Sequence, residues 1–97
     1  MTGSDRYAKQ VSDPQMHAEI LACIRDTFPE TTRVFFAREI TRTVRKHPEK
    51  YPALAAYEKD LTRFVSRWLI TRGWETYGPK NNACRWIIPA GFREATA

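Results

Sequence analysis

Leu61-Thr62-Arg63-Phe64-Val65-Ser66-Arg67-Trp68-Leu69-Ile70-Thr71-Arg72-Gly73-Trp74 is the stretch that decides the fold. Its apolar residues Leu61, Phe64, Val65, Trp68 and Leu69 recur at helical spacing and share one face. Gly73 is the residue type that tolerates the left-handed conformation with which many helices end. Beyond it the period drops from 3.6 to 2. Trp74-Glu75-Thr76-Tyr77 and Cys84-Arg85-Trp86-Ile87-Ile88 alternate as strands do, and Gly78-Pro79-Lys80-Asn81-Asn82-Ala83 between them is made of turn formers. The two runs read as a β-hairpin, with Trp74 and Trp86 burying their rings against helices because an isolated hairpin is marginal in water.

Upstream, Leu54 and Tyr57 extend the apolar stripe, so the spacing predicts a helix over 53–72, with a break near Lys59-Asp60 compatible with the pattern. Lys50-Tyr51-Pro52 reads as a turn. Phe36, Ile40 and Val44 stand four apart and predict a short basic helix over 36–47, which His47-Pro48 ends because the residue before a proline leaves the α region. Val34-Phe35 suits a brief strand, able to join the hairpin as a third. At the start, Ser12 and Asp13 are cap residues, Pro14 suits a first helical position, and Gln15 stands three after Ser12 as in a capping box. Met16, Ile20, Cys23, Ile24 and Phe28 then predict a helix over 13–28, stopped by Pro29 and mildly acidic on its outer face.

Ninety-seven residues with 42% hydrophobic content make one domain with a modest core. Residues 12–89 form that domain, 1–11 a polar arm and 90–97 a tail. The net charge of +5 is unevenly placed. Residues 1–32 carry three basic against five acidic side chains, and residues 33–85 twelve against five. Basic charge gathered in one part of a compact domain is the footprint of a polyanion binder. Two cysteines, Cys23 and Cys84, form no metal-binding pair with each other or with His17 and His47, and two reduced thiols in a cytoplasmic protein are the expectation. Neither a signal peptide nor a membrane span is legible. No catalytic constellation assembles: Ser66 lacks a histidine at useful spacing, the glycines are scattered, and Glu49 and Glu58 are isolated. The expectation is a non-enzyme without metal or small-molecule cofactor.

The order helix, short strand, helix, helix, hairpin, closing on Arg72-Gly73-Trp74 and Cys84-Arg85-Trp86-Ile87-Ile88, resembles the winged helix-turn-helix superfamily. The resemblance implies an α+β, mostly helical fold: a three-helix helix-turn-helix core with a C-terminal β-hairpin wing. It also implies double-stranded DNA as partner, for a small transcription or replication regulator in the cytoplasm or on the nucleoid. Helix 53–72 would then lie in the major groove, with Arg63 and Arg67, one turn apart, reading base edges through their planar forks. Thr62 and Ser66 would bond to a base or a phosphate. Lys59 and the row Arg38, Arg42 and Lys46 would hold phosphates, and Lys80, Asn81 and Asn82 would form the wing tip, with Arg85 on the second strand pointing to either face.

Each residue has a plainer reading. Asp60–Arg63 and Glu39–Arg42 suit surface pairs, and asparagines suit a turn for shape alone. Tyr57, Phe64, Trp68 and Trp86 are read as core; an exposed aromatic surface would bring single-stranded binding into play. A homodimer on a two-fold site would raise affinity. The alternative function is a winged-helix module for protein–protein contact, an assembly subunit or inhibitor, in which case Glu39, Glu58 and Asp60 would neutralise the basic face.

Overall fold

The computed structural model describes residues 13–78 and 85–92. The N-terminal arm, Ser12 as a cap, the hairpin tip with Lys80, Asn81 and Asn82, Cys84, and the tail from Arg93 lie outside these residues. The fold is α+β, four helices and a three-stranded antiparallel sheet.

Helix α1 spans Pro14–Thr27. Its N-cap is Asp13, whose carboxylate accepts from the Gln15 and Met16 N–H groups at 2.8 and 3.1 Å. The Gln15 side-chain amide donates to Glu19 at 2.6 Å, and the capping box expected with Ser12 lies outside the described residues. Strand β1 is Val34–Phe35 and helix α2 is Ala37–Lys46. The helix expected over 53–72 is two helices. A single turn, α3, covers Pro52–Ala55, and α4 covers Leu61–Thr71. Asp60 makes the division, because its carboxylate accepts from the Arg63 N–H at 3.1 Å and starts α4 afresh.

Helix α4 ends as Gly73 predicts. Gly73 has φ +79°, its N–H reaches the Ile70 carbonyl, and the Trp74 N–H reaches back to Leu69, both at 3.0 Å. This double closure turns Trp74 onto the core. Strands β2 (Thr76–Tyr77) and β3 (Arg85–Ile87) follow, shorter than their alternation suggests. The third strand is real: β3 is central, with Thr76 opposite Trp86 on one side and Phe35 opposite Trp86 on the other.

The core is aromatic where sheet meets helices. The Phe35 ring lies 5.1 Å from Phe28 and 6.1 Å from Trp74. Phe92, expected in the tail, is buried and packs edge-on against Trp74 at 5.5 Å. Phe64, Trp68 and Trp86 are buried and Tyr57 packs partly buried against them, as expected.

The acidic face of α1 is not turned outward throughout. Glu19 is 5% exposed, and its two carboxylate oxygens accept from the Ala53 and Leu54 N–H groups, each at 3.0 Å. These are first-turn N–H groups of α3, which no residue within that helix can satisfy. Two turns further along α1, Asp26 accepts from the buried Tyr51 hydroxyl at 3.2 Å. The connection from α2 to α4 is thereby tied to α1 twice. A hydrogen bond to a charged group contributes about 1.5–3 kcal/mol, and buried donors left unpaired cost more than their removal. Glu19→Ala is therefore expected to lower unfolding stability by about 2–4 kcal/mol in urea titration, with Glu19→Gln in between. A loss under about 0.5 kcal/mol would show that α3 is positioned by packing alone.

His17 faces Trp68 with ring centroids 5.1 Å apart, and its Nδ1 is buried without a hydrogen-bond partner among the described residues. Burial first, and the Arg72 charge second, hold its pKa below the ordinary 6.5. The unfolded chain therefore takes up a proton at a pH where the native one does not. Stability present above about pH 6.5 is lost as pH falls through that value toward the native pKa. Melting temperature is expected to drop more between about pH 7.5 and about pH 5.5 in the wild type than in His17→Gln; parallel curves would clear His17 of this role.

Candidate nucleic-acid interface

Helix α4 presents to solvent the side chains that the core-facing stripe leaves over. Arg63 and Arg67 are exposed on it, and Ile70, 42% exposed, stands on the same side one turn further on. From Leu61 to Arg72 there is no acidic residue. Asp60, which the sequence allows to pair with Arg63, spends its carboxylate on the Arg63 backbone as the helix cap.

Thr62 and Ser66 are not on that open face. Thr62 is half-buried, and its hydroxyl lies 2.7 Å from the hydroxyl of Thr41, itself buried on α2. The Ser66 Oγ is buried without a hydrogen-bond partner among the described residues. Thr62 belongs to the seam where α4 packs on α2, and neither hydroxyl is open to a base. The reason for Thr62 is angular: at about 100° per residue, position 62 falls at the edge of the buried stripe, beside the neighbouring helix.

Helix α2 carries Arg38, Arg42, Arg45 and Lys46 exposed. Its expected surface pair is absent, because the Glu39 carboxylate accepts from the Phe36 N–H at 2.8 Å and closes the start of the helix. Arg45, which the row of four-spaced residues omits, stands one turn beyond Thr41, just as Ser66 stands one turn beyond Thr62. It therefore borders the same seam as α4, whereas Arg42 lies further round α2. Lys59 is exposed ahead of α4. Arg85 is exposed at the start of β3, its guanidinium 5.5 Å from the centre of the Phe36 ring, and Arg38 stands 4.3 Å from the same ring. Lys80, Asn81 and Asn82 fall outside the described residues.

Among the described residues no group of acidic, histidine or cysteine side chains is placed to hold a metal, and no helix is long and apolar enough to cross a membrane. Cys23 is a buried thiol against the Thr27 hydroxyl, at 3.6 Å, and its pKa is raised chiefly by burial. No family model matches the chain, and no curated protein or solved structure does either.

The burial of Ser66 has a direct check. Deleting a buried, unpartnered hydroxyl, as serine to alanine does, removes a desolvation cost and improves helix propensity. Ser66→Ala is expected to leave stability unchanged or raise it by up to about 1 kcal/mol, with duplex binding unaltered. A tenfold loss of binding in a folded Ser66→Ala variant would return Ser66 to the contact surface.

Proposed function

We propose that this chain binds double-stranded DNA as a winged helix-turn-helix protein, with α4 in the major groove and the exposed cations of α2 on the phosphates. The observation that carries the reading is the exposed face of α4, where Arg63, Arg67 and Ile70 stand together on a helix whose own residues include no acid. A helix fits the major groove, an arginine fork pairs with a guanine edge, and an aliphatic side chain suits a thymine methyl. The element order, with β1 paired to the far strand of the hairpin, supports the same reading. A transcription or replication regulator acting as a homodimer on a two-fold site is the form in which one small module gains specificity.

Salt titration of binding to a selected duplex tests it. Affinity should fall linearly on logarithmic axes, by a slope of about −0.9 for each phosphate contacted. Arg67→Ala should cost about tenfold or more on the selected site and much less on random duplex, while Arg42→Ala weakens both alike. Absence of duplex binding at about 50 mM salt, or identical behaviour of the two variants, refutes the reading and favours a protein partner.

A further inference from the structure

The sheet has two faces, and only one is used by the core. Alternation along the strands sends Phe35, Trp86 and Thr76 inward. Tyr77 lies directly opposite Arg85 on the ladder, and Phe36 is next in line after Phe35. Phe36, Arg85 and Tyr77 thus form one row across the outward face, aromatic, cationic, aromatic. Tyr77 is 65% exposed and Phe36 half-buried. The Arg38 guanidinium joins the row from the first turn of α2, 4.3 Å from the Phe36 ring centre, with that of Arg85 5.5 Å from it. Neither arginine has a carboxylate partner among the described residues. Glu39, the acid beside Arg38 in sequence, accepts from the Phe36 N–H, and Glu75 stands two residues before Tyr77.

From this row we infer that the outward face of the sheet binds single-stranded nucleic acid, an unpaired base stacking on Tyr77 and its phosphates lying against Arg85 and Arg38. An open tyrosine ring offers a π-face that bases inside a duplex, already stacked on one another, have no means to use. Two guanidiniums steadied by the same ring are held in place before the anion arrives, which lowers the ordering cost of binding. Tyr77 and Arg85 belong to the strands and not to α4, while Arg38 of α2 is shared with the duplex reading.

The test is fluorescence anisotropy with a labelled, mixed-sequence oligonucleotide of about 15 nucleotides, run beside its duplex. Tyr77→Ala is expected to weaken single-strand binding about tenfold, while Tyr77→Phe, which keeps the ring, stays within about twofold of wild type. Both should leave duplex affinity within about twofold, and Arg85→Ala should flatten the salt dependence of the single strand. Tyr77 is exposed, so a melting curve will show these variants folded. No single-strand binding by the wild type at low salt, an unchanged Tyr77→Ala, or equal losses in Tyr77→Ala and Tyr77→Phe would each overturn the assignment. The duplex arm with Arg67→Ala reports on α4 alone, so either proposal can fail without the other.

Discussion

The arrangement of the helices depends on the Glu19 carboxylate. It sits in the interior of the packing, where an ion is costly unless its oxygens are fully engaged, and it meets that condition with two backbone N–H groups and the Gln15 amide. The partners it chooses begin a helix of a single turn, too short to hold itself together. One side chain of α1 thereby fixes where the chain re-enters after α2. Tyr51, hydrogen-bonded to Asp26, fixes the approach to that point. Beyond this anchored point Asp60 caps α4 and starts it afresh, and α4 packs on α2 with Thr62 on Thr41.

That packing decides which side chains of α4 are available. Of the polar residues of α4, Thr62 is claimed by α2 and Ser66 has its hydroxyl buried. What remains outward is Arg63, Arg67 and Ile70, with Thr71 at the end of the helix. Three acids, Glu19, Glu39 and Asp60, are all bonded to backbone N–H groups. The basic character of residues 33–85 is a surplus of cations, twelve against five acids, of which Glu39 and Asp60 also serve as helix caps.

Local signals were legible in the sequence, and distant ones were not. Gly73, Pro29 and the apolar stripes of α1 and α4 act within a turn or two of themselves, so spacing alone places them. Val34-Phe35 was readable as a strand because β-branched and aromatic residues flank a helix start. Asp60 was visible as a break, yet its capping role was masked by the unbroken apolar period running through it from Leu54. Glu19 was read as surface because its partners lie 34 and 35 residues away. A clue was present, since Glu19 and Asp26 are two turns apart on one side of α1, but what that side faces is a tertiary fact. Thr62 failed for the same reason: a helix wheel shows the edge of a stripe and cannot say whether another helix stands beside it. Phe92 lay past a proline, where no periodicity remained to announce a buried ring.

The order of the strands also bears on how the molecule comes into being. Every ladder hydrogen bond of β1 and β2 goes to β3, the last strand in the chain. The helices are built from neighbouring residues and can form as soon as those residues exist, whereas β1 waits for a partner about fifty residues later. Until residues 85–87 arrive, Phe35 and Trp74 have no Trp86 to close against, and the aromatic cluster stays open. Among the described residues the core is therefore completed by the strand made last, and that middle strand acts as the latch.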